Sequence, residues 1–427
     1  MSGFDLAIGI DAATMNQAGA VVYKQLYPRI FSGSEKIDKD GFEFNVSWDA
    51  KTAPTFVLQP PPKGLTLLRA HLLGQVEAPG VSATDLVNAY VASLENSVFQ
   101  MILEDVALTV AGGGESGTDQ VKVTIVVQAD ASGGKMSLRP LKAFGETSNP
   151  SDKWFINNVL LPQAMTIGET LLSGITLPPL SFANIQLTPP TLIVSQDHVI
   201  AMANLAGKGS PSPPFPTSWP QGAFFAIMSE EAKLAVARAG TASINGKRID
   251  HGTTIGIGIG DVHYNASAII NNLQINPGSP GGTDFAFSAS INGNVNAGIK
   301  IGCTTFGVNY NLLAEPTPHG TISLSFNGSM VHAMTSQMST IVLVLIPNGS
   351  FLEWLLSAIT YPILQSITAI FSPAFTQIFN GIGFDVFQLP TVPFNLDSVH
   401  LSVQPTNVHF SSFAGLTTIE GAASISG

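Results

Sequence analysis

The chain repeats its own order of elements across a proline-rich break, and that repeat limits its architecture more than any single motif. The break is AGKGSPSPPFPTSWPQ, residues 206–221, with five prolines in sixteen positions. It reads as a stiff, extended linker and divides the chain into domains at 1–205 and 222–427. The first half closes with Leu177-Pro178-Pro179-Leu180-Ser181-Phe182 and Pro190-Thr191. The second closes with Leu389-Pro390-Thr391-Val392-Pro393-Phe394 and Pro405-Thr406. Leu177 and Leu389 are 212 apart and Pro190 and Pro405 are 215 apart, so short insertions align the two.

Each half opens with an expected helix. Residues 11–31 place Met15, Ala18, Val22, Leu26 and Ile30 on one face at steps of three and four, with Pro28 bending the last turn. Residues 223–239 form the counterpart, with Ser229 as N-cap. Long alternating runs follow, such as Phe42, Phe44, Val46 and Trp48, or Val121, Val123, Ile125 and Val127, and these predict half-buried antiparallel strands. Asn292-Gly293 between two such runs predicts a tight hairpin, and Gly-rich turns are expected at 111–119 and 130–135.

A second helix precedes each closing motif. In the first half Ser151 or Asp152 caps it, Ile156, Leu160, Ala164, Ile167 and Leu171 line one face, and Gly174 ends it. In the second half Ser350 caps a longer one that begins FLEWLLSAITYPILQSITAIF. Leu352, Leu356, Ile359, Ile363, Ile367, Ile370, Ala374 and Ile378 share a face. A bilayer-spanning helix needs roughly 20 mostly apolar residues, so length alone permits a span. Pro362, Pro373, the lack of a basic flank and the amphipathic first-half equivalent argue for burial in protein instead. A helix apolar nearly all round must be covered nearly all round.

Charged residues are 11% of the chain against a usual quarter or so. The 41 Gly and 28 Pro belong to strands and turns rather than to a bundle of membrane helices. A net charge of −11 leaves no basic field for nucleic acid. One cysteine, Cys303, excludes an internal disulfide, and the first residues lack a basic region followed by a long apolar run. The expected location is cytoplasmic, with export by a non-classical route left open.

Helix, long strands, helix and a Leu-Pro-x-x-x-Phe closing strand, repeated across a Pro-rich linker, resemble the TULIP (tubular lipid-binding) superfamily. Its two-domain members are bactericidal/permeability-increasing-like proteins, and its bacterial relatives include accessory proteins encoded beside some clostridial neurotoxins. The resemblance implies an α+β fold of two elongated tandem pseudo-repeats, each a long twisted antiparallel sheet wrapped around helices. It also implies an apolar slot that takes lipid acyl chains. Carried onto this chain, the contacts are the inward faces already named: Met15, Val22 and Leu26; Ile156, Leu160, Ala164, Ile167 and Leu171; Leu352, Leu356, Ile359, Ile363, Ile367, Ile370 and Ile378. The family's endotoxin-binding members are basic and secreted, so an acidic chain departs from them.

Signatures of catalysis are absent or poor. Gly256-Ile257-Gly258-Ile259-Gly260 is a strand pattern rather than a dinucleotide fingerprint. The stretch 240–248 has one residue too many between its glycines for a phosphate loop, and Arg248 stands where Ser or Thr is needed. His251 and His263 flank one strand without a ligating cluster, and Cys303 reads as an inert buried thiol. The expectation is therefore a non-enzymatic protein with no cofactor and no metal. It binds or transfers lipid or another apolar small molecule, touching a membrane only transiently. The alternative is an accessory protein whose filled core leaves it to bind protein partners.

Overall fold

The computed structural model describes residues 3–59, 61–74, 83–94, 96–131, 137–173, 175, 185–256, 261–301, 303–348, 351–396 and 399–426, with side chains on the long C-terminal helix described from residue 365 onward. Grouped by contacts, the chain forms two units. One comprises Met1–Ser181, Gln186–Ser229 and Pro390–Gly427, and the other Phe182–Ile185 and Glu230–Leu389. Residues 206–221 lie within the first unit by this grouping. Strands from both ends of the chain join one sheet, and that pairing keeps the C-terminal hairpin with the first unit.

In the first unit β1 (Leu6–Asp11) leads into α1 (Ala12–Leu26), followed by β2 (Ser32–Lys39), β3 (Phe42–Ala50) and β4 (Thr55–Val57). Two helices, α2 (Pro62–Leu73) and α3 (Ala83–Leu94), precede the long strands β5 (Val98–Gly112), β6 (Glu115–Asp130) and β7 (Ser137–Glu146). A composite helix follows: a 3-10 turn at Pro150–Asp152, α4 (Lys153–Phe155), a π turn at Ile156–Leu160 and α5 (Leu161–Ser173). Then come β8 (Thr191–Ser195), β9 (His198–Ala203) and β10 (Phe224–Met228). The second unit holds α6 (Glu230–Thr241), β11 (Arg248–Gly256), β12 (Asp261–Pro277), β13 (Asp284–Ile301), β14 (Thr304–Ala314), β15 (His319–Asn327), β16 (Met330–Met338), β17 (Leu343–Asn348), α7 (Phe351–Asn380) and β18 (Gly383–Gln388). The chain ends with β19 (Val392–Leu396), β20 (Val399–Phe413) and β21 (Leu416–Ser426), back in the first unit.

Two sheets build the first unit. One runs β2-β3-β5-β6-β7 with β4 added on β5, and the other runs β19-β20-β21-β10-β1-β9-β8. Strand period decides the layers, because alternate side chains point to opposite faces. Val121, Val123, Ile125 and Val127 of β6 face inward onto α1, α5 and the β19–β20 hairpin in one apolar cluster. Val126 points the other way and packs under Leu68 of α2 and Leu94 of α3. Shifts of register at Leu103/Val106 and Val126/Val127 insert extra residues, and such bulges bend and twist a sheet around what it covers.

The Asp11 side chain caps α1, accepting from the Thr14 N–H at 2.8 Å. The helix stops at Leu26 rather than running on to 31, because the residue before Pro28 is driven out of the helical region. The second-half counterpart is also shorter than expected. Phe224–Met228 is a strand with every residue buried, paired on both edges by β1 and β21, and only from Glu230 does the helix run. A five-residue apolar run reads equally as strand or helix, and sheet pairing decides it.

The second unit is an eight-stranded sheet, β11-β12-β13-β15-β16-β18, with β14 and β17 branching from β13. Asn292-Gly293 makes no turn here. β13 runs through it as one 18-residue strand, with Asn292 opposite Ile269 on one side and Leu313 on the other. Gly293 is there for close backbone approach, since a Cβ at that position would stand 2.2 Å from the Ser267 carbonyl oxygen. The Gly-rich turn at 111–119 does form, with Gly113 and Gly114 at φ of 60° and 88°.

The proline-rich segment is irregular but not a free tether. Trp219 is buried between Phe4 and Phe225, with ring centroids 5.6 and 5.9 Å away, in an apolar cluster on the outer face of β1, β9 and β10. Pro211 and Pro220 are buried too, whereas 212–214 are exposed. An aromatic side chain buries 150–250 Å² or so, enough to pin a loop that its prolines alone would leave extended.

Candidate functional site

The first-unit stripes expected to line a slot do converge. Met15, Val22 and Leu26 on α1 meet Ile156, Leu160, Ala164, Ile167 and Leu171 in one cluster against β3, β5, β6 and β20, all of them buried. Asn16 fastens the edge of this seam, its Nδ2 donating to the Phe56 carbonyl at 3.0 Å while its Oδ1 accepts the Phe56 N–H. Gly19 lets the Phe56 ring lie close, since a Cβ there would be 3.2 Å from it. What opens between Gly19, Val22, Pro54, Phe56, Leu171, Ile175 and Leu396 is a cavity of about 10 Å³, space for roughly one water. An opening of that size admits no acyl chain.

In the second unit the described part of α7 buries a different face from the one expected. Ile367 is 0% exposed and is followed at four-residue steps by Phe371, Phe375 and Phe379, each equally buried. Phe379 stacks on Phe287 of β13 at 5.7 Å, and the Thr335 hydroxyl of β16 donates to its carbonyl at 2.7 Å. Ile370 is 41% exposed and Ile378 only half-buried, so neither shares that face. The three phenylalanines carry more apolar area than the isoleucine stripe, and they set the helix rotation. Gln365, Ser366, Ala369, Pro373, Gln377 and Asn380 are exposed, so this part of the helix has a solvent side instead of being apolar all round. The side chains of Leu352, Leu356, Ile359 and Ile363 lie outside what is described, as do residue Gly174, the first closing motif at 177–182 and residues 257–260 altogether.

An open groove occurs elsewhere, at the free edge of β7. Its lining is Leu67 and His71 of α2, Lys142, Ala143, Phe144 and Gly145 of β7, and Asn157, Leu161, Pro162 and Met165 of the composite helix, around a volume of about 550 Å³. Two helical stripes form the walls. Leu67 and His71 are one turn apart, and Asn157, Leu161 and Met165 follow one another at four-residue steps. Consecutive residues of β7 make the floor because the groove runs along the strand's edge, which α2 flanks on the outer face and α5 on the inner. The π turn aims the second wall. Pro162 has no N–H to give to residue 158 and its ring crowds that carbonyl, so the helix widens, with the Leu161 N–H bonding five residues back to Ile156. Gly145 admits the widened turn, since a Cβ there would lie 2.5 Å from Ile156 Cγ2.

The groove was not foreseen from the sequence, which had α2 and α3 unassigned. A signal was present in PKGLTLLRAHLL, where Pro62 suits a helix start and leucines recur at helical spacing. A second recess of about 440 Å³ at the β5–β6 turn is lined by Lys36, Glu43, Phe44, Asn45, Glu115, Ser116 and neighbouring small residues. Its polar walls do not suit an apolar ligand.

The remaining candidates are local. The His251 Nδ1 lies 3.2 Å from the Tyr264 hydroxyl and the His263 Nδ1 lies 2.6 Å from the Thr254 hydroxyl, and among the described residues no group of His, Cys, Asp and Glu could hold a metal ion. Cys303 is exposed rather than buried, because the β13–β14 connection carries it out of the sheet. Among the described residues no helix is long and apolar enough to cross a membrane.

Curled antiparallel sheets covering helices on their inner faces define a wrapped-sheet α+β fold. Solved structures similar to the chain along nearly its whole length are P47 of Clostridium botulinum E1 (9% identity, TM-score 0.45, 99% of each chain covered), P47 from Clostridium botulinum A2 (8%, 0.46, 98% of this chain and 97% of that one) and lipopolysaccharide binding protein (13%, 0.33, 99% of each). No protein-family model matches the chain, and no curated protein matches it either. At these identities and TM-scores neither family nor function follows from the likeness.

Proposed function

We propose that the chain is a non-enzymatic binder or carrier of lipid or another apolar small molecule, and that the ligand lies in the groove along β7. The observation that carries this reading is the contrast between two spaces in the same unit. The opening beside the inner seam holds about 10 Å³, whereas the edge groove holds about 550 Å³, within the range of about 300–1,000 Å³ usual for small-molecule sites. Leu67, Phe144, Leu161, Pro162 and Met165 supply an apolar wall, and removing an acyl chain from water there is favourable by roughly 0.8 kcal/mol per buried methylene. The α7 face around Leu352 to Ile363 remains a second proposed contact for the same ligand class.

A specific observation favours the runner-up, an interaction protein that binds protein partners. The burial of the α1 and α5 stripes in one apolar cluster is what a fold without an internal slot would show. Organic extraction of purified protein followed by mass spectrometry separates the two. A binder yields lipid in stoichiometric amount, while an interaction protein yields none and brings a second protein through purification.

A further inference from the structure

We infer that β17 pairs with the β17 of a second copy of the chain, edge to edge about a two-fold axis, whatever occupies the groove at β7. Among the described residues β17 bonds to β14 on one side and to no strand on the other. Because α7 touches β14 and β16 as well as β17, it lies across the face of the sheet rather than along that edge. Sheet edges are ordinarily guarded by charge or by a cover. The edges at β2, β7, β11 and β18 hold Lys, Arg, Asp or Glu, and β4, β8 and β19 show no exposed apolar side chain among the described residues. β17 has neither protection. The stretch STIVLVLIPN, residues 339–348, carries no charge, and Val342 and Ile346 on its outer side are 47% and 41% exposed.

The backbone decides what kind of partner fits. The Glu315 N–H donates to the Val342 carbonyl at 2.9 Å. Backbone groups alternate sides along an antiparallel strand, so Val344 and Ile346 also face β14 while Leu343 and Leu345 present their N–H and C=O to the free edge. Such groups call for a strand rather than for an acyl chain. With Val344 opposite Val344 of the second copy, Leu343 exchanges both bonds with Leu345 of that copy, and Leu345 with its Leu343. Val342 then lies beside Ile346 of the second copy, so the exposed side chains of the strand cover each other. Sliding the pair by two residues sets Leu343 against Pro347, which has no N–H to return. Charge points to a second copy as the partner. The chain carries −11 overall and copies repel wherever carboxylates face, but β14 has no charged residue and neither do residues 290–299 of β13. An uncharged row of β-branched side chains is its own complement, and a two-fold axis closes the contact.

The test is sedimentation equilibrium of the full-length protein over roughly 1–100 μM, the range in which a small interface is read. Wild type should show a monomer–dimer equilibrium. Ile346→Lys should raise the dimer Kd at least about tenfold with no change in melting temperature. Adding Val342→Glu to it should return the Kd to within about threefold of wild type, because the register sets position 342 against 346. Disulfide trapping in a Cys303→Ser background reads the register itself. Val344→Cys should form a covalent dimer on mild oxidation, since facing Cα atoms of a non-hydrogen-bonded pair stand about 4.5 Å apart, within disulfide reach. Val342→Cys alone should not, yet should link when mixed with Ile346→Cys. A monomer at every concentration, a dimer that Ile346→Lys leaves intact, or equal trapping at all three positions overturns the pairing.

Discussion

Replacing Ile367 by glutamate asks whether α7 lines a slot or seals a core. Ile367 is 0% exposed, with Phe371 one turn on and equally buried. Losing the isoleucine contacts removes about 1.5–3 kcal/mol. A fully buried carboxyl raises its pKa by about 3–5 units, which at about 1.36 kcal/mol per unit adds roughly 4–7 kcal/mol against the folded state once pH exceeds the folded pKa. The sum rivals the whole stability of an ordinary domain, about 5–15 kcal/mol. The sign of the pH dependence follows. With the folded pKa above the unfolded value of about 4.3, the folded state binds more protons between the two, so stability falls as pH rises through that window. Thermal melting by circular dichroism at pH 5 and pH 7.5 is the assay. Ile367→Glu should melt lower at pH 7.5 than at pH 5 by more than wild type does, and should be largely unfolded at the higher pH. Ile367→Ala should lose about 2–5 kcal/mol at both. A glutamate variant with wild-type melting at pH 7.5 would refute burial at this position and restore a wet slot.

Gly293→Ala should destabilise the protein by about 1–3 kcal/mol in urea titration, because a Cβ there collides with the Ser267 backbone, and a neutral result would contradict the continuous β13. Trp219→Ala should lose about 3–5 kcal/mol and make the 206–221 segment a ready protease site. In wild type the same segment should resist cleavage, and rapid cutting there would show that the Phe4–Trp219–Phe225 stack does not hold it.

Helical faces were legible wherever one stripe had one covering surface. Met15, Val22 and Leu26, and Ile156 through Leu171, are all inward as their spacing implies. Strand alternation was equally plain in β6. Context-dependent features were not legible. FFAIM is strand rather than helix because β1 and β21 wait on either side of it. Asn-Gly, a strong local turn signal, was overridden by a ladder that needed a residue without Cβ. In α7 the isoleucine stripe and the phenylalanine stripe both have helical spacing, and only the shape of the sheet beneath chooses between them. The groove was hidden for a related reason. Its lining comes from three segments, 67–71, 142–145 and 157–165, and no one of them carries a motif. It exists because an edge strand is flanked by two helices on opposite faces.

Photolabelling with an acyl chain bearing a diazirine, read by peptide mass spectrometry, tests the central claim most directly. The account predicts saturable labelling concentrated on peptides containing Phe144 and Leu161 to Met165, competed by unlabelled dodecanoate and lost in Leu67→Glu. Labelling that does not saturate, or that spreads over the surface without competition, would contradict a lipid site on this chain.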